Sequence, residues 1–177
     1  VFMDRNLGAV GTTVGGTDSY GMYYQWGRKD PFYWGTKTST SATPFDEVKE
    51  LTVVNPAYAA LTWSLAKAAV TPEAAAANPM TFYNNTVGTG SNWLAKPSAK
   101  LWGEAKTLND PCPQGYKVPD IDAWENLSSG RDYIDGVSAW DVENYGVTYT
   151  YNGRTAWYPG QGYRMYNTGA IVGQRAS

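Results

Sequence analysis

Carboxylates are the side chains through which this chain could perform acid–base or glycoside chemistry. A glycosidase needs two carboxyl groups facing each other across a cleft, about 5–10 Å apart, so such a pair stays open as an alternative. Aspartate also favours caps and turns, because its carboxylate bonds nearby backbone amides. We therefore interpret the scattered acidic residues as caps, turns and solvated faces: Asp18, Asp30, Asp46, Glu47, Asp110, Asp120, Asp122, Asp132, Asp135 and Asp141.

Histidine is absent from the sequence and cysteine occurs once. The absence of histidine removes the most common general base, the most common metal ligand and the Ser–His and Cys–His nucleophile pairs. A single cysteine, Cys112, means that no disulfide can close within this chain. We therefore expect no catalytic residues, and we interpret Cys112 as structural rather than reactive.

The composition predicts an extracellular recognition protein and argues against a nucleic-acid partner. The 177 residues carry a formal charge of −2 without a clustered Lys/Arg stripe. Aromatic residues make up 15%, with 14 Tyr and 8 Trp, whose rings join a large apolar face to a polar tip. No apolar run reaches the roughly 18 residues that a membrane helix needs, so we expect no membrane insertion. The apolar start at Val1 suggests a processed or excised fragment.

Short aromatic or β-branched segments alternate with turns rich in Gly and Pro, which predicts short strands and long loops. We predict strands at 1–6 and 20–26, the second buried and aromatic. Residues 145–157 are predicted to form a β-hairpin, because large side chains alternate along the first half and Asn-Gly at 152–153 is a strong two-residue turn signal.

Two short helices are predicted, which makes the fold class α+β. Thr71 and Pro72 are typical of an N-cap and a first helical turn, so a helix should run to Ala77. Asp120 is the candidate cap of the second helix, which Gly130 would end. The apolar face of that helix has a spacing of three and consists of Ile121, Trp124 and Leu127.

Five segments rich in Gly, Pro and aromatic residues follow one another along the chain. They lie at 2–9 (Phe-Met-Asp-Arg-Asn-Leu-Gly-Ala), 21–32 (Gly-Met-Tyr-Tyr-Gln-Trp-Gly-Arg-Lys-Asp-Pro-Phe), 78–82 (Asn-Pro-Met-Thr-Phe), 110–119 (Asp-Pro-Cys-Pro-Gln-Gly-Tyr-Lys-Val-Pro) and 158–164 (Tyr-Pro-Gly-Gln-Gly-Tyr-Arg), with Gly169 following. In this order they resemble the major paralogous domain family first named from Fibrobacter and abundant in Bacteroides-type surface and fimbrial tip proteins. The fourth segment departs from the family pattern at Tyr116 and Lys117, where Trp and Arg are usual. Each segment alone is weak, but their order is specific.

The resemblance implies a C-type-lectin-like fold over 1–177, with two short helices, a small twisted antiparallel sheet and long loops. It also implies a fragment of a larger surface protein whose C-terminal strands are missing, disordered or supplied by another chain. Cys112 would then be a half-cystine whose partner lies outside this sequence. The family's patterned positions are expected to stabilise the fold rather than bind: Arg5, Trp26, Arg28, Asp30, Cys112, Trp124 and Arg164. Within that set, the Arg28 guanidinium should stack on an indole or pair with Asp30.

The stretch from 140 to 157 corresponds to the long-loop region where C-type-lectin-like folds usually bind. Its aromatic side chains are the candidate ligand-binding residues, because Tyr and Trp give a large contact area at little cost in rotamer entropy: Trp140, Tyr145, Tyr149, Tyr151 and Trp157. The aromatic run at 32–34 (Phe-Tyr-Trp) is a second candidate. Calcium-binding lectin motifs are absent, so no cofactor is expected, although a structural calcium ion is left open without a location.

The function implied is that of a non-enzymatic adhesion or ligand-binding module on the cell surface. Its partner would be a glycan or protein on a host or neighbouring cell, or a fimbrial subunit. The first alternative is a structural pilus or tip assembly module, completed by a strand from another segment or subunit. The second alternative is a carbohydrate-active enzyme domain. The inference from this fold to an adhesion or ligand-binding function is an analogy.

Overall fold

A computed structural model describes residues 2–32, 64–84, 92–96, 98, 100–120, 122–123, 136–137, 140–151, 153–166 and 171–172. Within these ranges the chain mixes few helical segments with short strands, which confirms the predicted mixture of α and β structure. A 3-10 helix at Thr17–Ser19 and helix α1 at Pro72–Ala76 are the named helical elements. The strands are β1 (Tyr23–Tyr24), β2 (Pro31–Phe32), β3 (Ser64–Ala66), β4 (Thr81–Tyr83), β5 (Gly136–Val137), β6 (Gly146–Tyr151), β7 (Arg154–Pro159), β8 (Tyr163–Arg164) and β9 (Ile171–Val172).

The described strands form four small sheets instead of the single small antiparallel sheet expected. Strands β1 and β2, β8 and β9, and the three strands β5, β6 and β7 pair antiparallel. Strands β3 and β4 pair parallel, which the sequence did not predict. Most of the described ladders pair only two or three residues, and the β6–β7 hairpin is the longest among them.

The predicted first helix is confirmed with its cap. The Thr71 hydroxyl oxygen accepts a hydrogen bond of 3.2 Å from the Ala74 amide, and Pro72 occupies the first turn, where no amide donor is needed. For the second predicted helix, the Asp120 carboxylate accepts a 2.8 Å bond from the Ala123 amide, as an N-cap does. Its apolar face, including Trp124, lies outside the described residues.

The predicted strand at the N-terminus is wrong over the described residues 2–6. The chain turns there instead, because the Ala9 amide bonds the Asn6 carbonyl and Gly8 adopts a φ of +91°. A side chain at Gly8 would collide with Met22 as well, which makes glycine the residue that fits. The segment at 20–26 is largely buried, as predicted, but only Tyr23–Tyr24 is strand.

The predicted hairpin is confirmed, including its connection. Strands β6 and β7 pair over six residues each, from Gly146 opposite Pro159 to Tyr151 opposite Arg154. This register leaves a two-residue connection at 152–153, and Gly153 has the positive φ of +69° that such a turn favours.

One buried cation organises the first part of the chain. The Arg28 side chain is 2% exposed and forms a 3.0 Å ion pair with Asp30, as predicted. Its guanidinium also donates hydrogen bonds to the backbone carbonyls of Thr81, at 2.6 Å, and of Ala75 and Asn78, both at 3.3 Å. Since those carbonyls belong to β4 and to the end of α1 and the residues just after it, Arg28 joins these two elements to the loop between β1 and β2.

Aromatic rings complete the surroundings of this cation. The guanidinium carbon of Arg28 lies 5.4 Å, 5.5 Å and 5.8 Å from the ring centroids of Phe32, Tyr83 and Trp93. The indole in contact is therefore Trp93, and not the neighbouring Trp26 that the sequence suggested. Trp26 stays 40% exposed, and its carbonyl accepts a 2.7 Å bond from the Trp93 indole nitrogen.

A partly buried glutamine, Gln161, connects the beginning of the chain to its late segment. The Gln161 side-chain oxygen accepts a 2.7 Å bond from the Gly21 amide and a 3.2 Å bond from the Asn6 side chain. The Tyr23 hydroxyl in turn donates to the Gln161 carbonyl, and the Arg164 guanidinium lies 5.4 Å from the Tyr23 ring centroid. The first, second and fifth of the five segments are thus in direct contact.

Replacing Arg28 should destabilise the protein strongly. We expect Arg28→Ala to lower the free energy of unfolding by about 3–5 kcal/mol, because it leaves Asp30 and several buried carbonyls without their donor. Urea denaturation would measure the change, with Arg154→Ala as the control, since Arg154 is exposed at the hairpin tip and should matter by less than about 0.5 kcal/mol. Equal effects of the two substitutions would contradict this account.

Candidate functional site

The hairpin register separates the aromatic residues that the sequence grouped together. Tyr149 lies opposite Ala156, whereas Trp157 lies opposite Thr148. Because neighbouring residues of a strand point to opposite faces, Trp157 and Tyr149 lie on different faces of the hairpin. Trp157 is also only 4% exposed. Its inclusion in an exposed stacking platform is therefore wrong.

Gly146 explains how Trp157 becomes buried. A Cβ atom at Gly146 would lie 2.4 Å from the Trp157 indole, so the ring packs directly against the glycine backbone. Any larger residue at position 146 would have to displace that ring. Alternation along one strand cannot reveal this contact, because it depends on the pairing with the other strand.

Tyr149 is also engaged in packing. Its ring meets the Tyr158 ring edge-on, at 5.4 Å between centroids, and the Tyr158 hydroxyl donates to the Met3 carbonyl. Burial raises the pKa of Tyr158 to about 12, so the hydroxyl stays protonated and remains a donor. Tyr151 belongs to β6, but its side chain lies outside the described residues.

Trp140 is the candidate that the structure leaves accessible. Its side chain is 52% exposed, just before the turn that leads into β6. The indole rests on Gly160, where an added Cβ would lie 2.3 Å from the ring. The Tyr145 ring meets it edge-on, at 6.4 Å between centroids and 81° between planes. Two supports thus hold an indole that is half open to solvent.

The turn between Trp140 and β6 is held by one carboxylate. The Asp141 side chain accepts 2.9 Å bonds from the amides of Glu143 and Asn144, and a 2.8 Å bond from the Asn144 side chain. The backbone closes the same turn, since the Asp141 amide bonds the Gly146 carbonyl at 2.9 Å. Asn144 and the turn amides thereby lower the pKa of Asp141 below its usual range.

Tyr145 occupies a backbone conformation that is unusual for a tyrosine. Its φ is +54°, in the left-handed region that large side chains seldom adopt. The Gly160 amide donates a 2.7 Å bond to the Tyr145 carbonyl and fixes the position of this residue beside Trp140. Such strain persists only where surrounding contacts impose it, and it is common at binding sites.

Aliphatic residues extend the exposed area around the indole. Val142 is 68% exposed in the turn, and Val14 is 51% exposed in the loop at 10–16. That loop touches the turn, because a Cβ at Gly15 would lie 2.4 Å from the side-chain oxygen of Asn144. We call Trp140, Val142 and Tyr145, together with this loop, the Trp140 surface. The sequence predicted Trp140 and Tyr145 as binding residues but not the loop at 10–16, because that loop precedes Trp140 by more than a hundred residues.

Five of the described aspartates have local structural roles, in agreement with the predicted caps and turns: Asp18, Asp30, Asp110, Asp120 and Asp141. Asp18 bonds the Thr13 hydroxyl at 2.8 Å, and Asp110 accepts bonds from the amides of Cys112 and Val118 and pairs with Lys106. No group of three or more His, Cys, Asp or Glu residues suited to a metal ion occurs within the described ranges. No calcium position can therefore be named among them.

Three other predicted residues have partners of their own. Cys112 is a free, partly buried thiol, and burial, with Asp110 adding to it, raises its pKa to about 11. Arg5 forms a 2.8 Å ion pair with its neighbour Asp4. Phe32, from the second candidate run, is 1% exposed and packs on Phe82, so it cannot contact a ligand at the surface.

Other exposed aromatic side chains were not predicted as binding residues. Trp26 is 40% exposed, and its ring centroid lies 6.5 Å from that of the partly buried Trp102; Tyr163 and Tyr166 are 57% and 47% exposed. Composition signals many Tyr and Trp residues, but it does not tell which of them remain outside the core.

Comparison with known proteins adds no relative from which a function could be transferred. No protein-family model, no curated protein and no solved structure matches the chain significantly. Among the described residues, no helix has both the length and the apolar character required to cross a membrane.

The support of Trp140 by Gly160 can be tested by adding one methyl group. We expect Gly160→Ala to cost about 1–3 kcal/mol of unfolding free energy, because the new Cβ overlaps the indole. The cost of Gly160→Ala should be smaller when Trp140 is already replaced by alanine. A double-mutant cycle, measured by urea denaturation, should therefore give a coupling energy of about 0.5–3 kcal/mol between positions 140 and 160. Gly103→Ala is the control, since a Cβ there meets nothing nearer than 3.5 Å. Additive effects at positions 140 and 160 would show that the contact is absent.

The turn should respond to acid through Asp141. Because its folded pKa is lowered, its stabilisation is fully present above the unfolded value of about 3.9 and is lost as the pH falls through the folded value. The carboxyl carbon shift of Asp141 should therefore titrate below about pH 3.9 in NMR, together with the amides of Glu143 and Asn144. Asp141→Asn should remove this acid transition. Titration of Asp141 at or above its ordinary value would contradict the hydrogen bonding described.

Proposed function

We propose that this chain is a non-catalytic ligand-binding module of a bacterial surface or fimbrial protein, and that the Trp140 surface is its binding site. The proposal includes a C-type-lectin-like scaffold of the Fibrobacter major paralogous type, located outside the cell and acting in adhesion. The single observation that carries it is the half-exposed Trp140 indole, fixed between Gly160 and Tyr145. A rigid aromatic residue of this kind binds with little loss of rotamer entropy.

The contacts of the five segments support a division between scaffold and site. Arg28 joins the second segment to the third through the Thr81 and Asn78 carbonyls, and Gln161 joins the fifth to the first two. The Arg28 guanidinium and the Gln161 side chain thus form contacts within the protein. The turn that bears Trp140 lies between segments of the series, where a sequence can change without breaking those contacts. This is the usual relation between a scaffold and a binding loop.

The hydrogen bonding of Asp110 and Asp141 also favours binding over hydrolysis. A general acid or base must present its carboxyl group to a substrate. Asp110 instead accepts two backbone amides and Lys106, and Asp141 accepts three donors of its own turn. These groups are committed to holding loops in shape.

An array of glycans and of host and fimbrial proteins, probed with the whole chain, would test the proposal. We expect at least one ligand whose binding falls about thirtyfold in Trp140→Ala, because truncating a central aromatic anchor costs about 2 kcal/mol or more. The control is Trp26→Ala, another exposed tryptophan on a different part of the chain.

The identity of the captured ligand separates the hypotheses. A fimbrial subunit whose binding depends on Trp140 would favour the assembly module over an adhesin. Binding that survives Trp140→Ala, or that Trp26→Ala weakens equally, would disprove the proposed site. Turnover of a glycan by the chain would disprove its non-catalytic character.

A further inference from the structure

We infer that the Trp140 surface binds a basic segment of a protein partner, with an arginine or lysine side chain seated against the Trp140 indole. This inference rests on the proposed function and assigns the chemistry of its ligand. It follows from three features of the surface: an open indole face, the two carboxylates of the adjoining turn, and the use of the Asp141 and Asn144 side chains within that turn.

The aromatic feature is a corner made of two rings. The indole of Trp140 and the ring of Tyr145 stand nearly perpendicular, with 6.4 Å between centroids, and the indole keeps about half of its surface open. Cations are attracted to the faces of such rings, most strongly to that of tryptophan. The same protein uses this contact internally, where the Arg28 guanidinium lies over three aromatic rings.

The charge feature follows from the sequence of the two segments that build the surface. No Lys or Arg occurs between Arg5 and Arg28, or between Arg131 and Arg154. The first interval contains Asp18, and the second contains four acidic residues, including Asp141 and Glu143 on either side of Val142. Asp18 interacts electrostatically with Arg5, so the negative charge of the surface comes mainly from the turn, through Asp141 and Glu143. Charge complementarity therefore favours a cationic partner.

The side chains of Asp141 and Asn144 form their hydrogen bonds within the turn. Asp141 accepts three hydrogen bonds from its own turn, and the Asn144 side-chain amide is one of the donors. A neutral sugar requires several side-chain donors and acceptors beside the stacking ring. The turn offers instead an indole, the aliphatic Val142 and the exposed carboxylate of Glu143. A long basic side chain satisfies this set, because its stem is apolar and its end is charged.

Titration of the whole chain with three short peptides tests the inference: one rich in arginine, one rich in lysine at equal charge, and one rich in glutamate. We expect the arginine peptide to bind most tightly, because a guanidinium stacks on an indole better than an ammonium does. Trp140→Ala should weaken its binding by about threefold to thirtyfold. Calorimetry at low and at physiological salt would measure the affinities.

Two matched carboxylate variants isolate the charge. Glu143→Gln should weaken binding of the arginine peptide severalfold at low salt and by less at 0.15 M salt, since exposed charges are then screened beyond about 8 Å. Glu104→Gln, in an exposed loop elsewhere, should leave the affinity unchanged. Thermal melts of each variant would verify that the fold is retained.

The outcomes distinguish this inference from the proposal on which it rests. If arginine-peptide binding is the same in Trp140→Ala and in the unchanged chain, or if the glutamate peptide binds equally well, the inference is overturned. If a neutral glycan or an uncharged protein is then lost in Trp140→Ala, the binding site stands and only its assigned chemistry fails. If no array ligand depends on Trp140, the proposed function itself fails.

Discussion

The rest of the structure depends on the burial of one guanidinium. Arg28 is almost fully enclosed, and a buried cation is tolerable only if acceptors surround it. Asp30 supplies one acceptor, and the carbonyls at the end of α1 and in β4 supply the others. The helix end, the parallel β3–β4 pair and the β1–β2 pair must therefore meet at one point. Arg28 and its acceptors thus stabilise helix α1 and the β1–β2 and β3–β4 pairs, which are too short to be stable alone.

The Gln161 contact performs the same task for the other part of the molecule. Its amide group bonds both the donor and the acceptor of Gly21, so it continues the backbone pairing where no strand is available. The neighbouring residue, Gly160, packs against the Trp140 indole, and its amide donates a hydrogen bond to the Tyr145 carbonyl. The residue that anchors the N-terminal segments is thus adjacent to the residue that supports the candidate site. Packing of the scaffold and geometry of the site are physically connected.

Three predictions from the sequence are wrong because they depend on contacts between distant segments. Trp157 and Tyr149 both belong to an aromatic hairpin, but the cross-strand register assigns them to opposite faces. The N-terminal apolar residues suggested a strand, whereas the turn at Gly8 brings Met22 against the chain and prevents one. The indole near Arg28 is Trp93 rather than Trp26, because a contact over such a distance depends on the whole fold.

The sequence by itself determined the features that arise from local interactions. The Thr71–Pro72 cap, the Asp120 cap and the two-residue hairpin turn each depend on residues a few positions apart, so their signatures can be read directly. Only the tertiary structure decided which aromatic side chains stay exposed. That outcome depends on glycines such as Gly160 and on a loop distant in the chain, because burial is settled by contacts between segments and not by residue type.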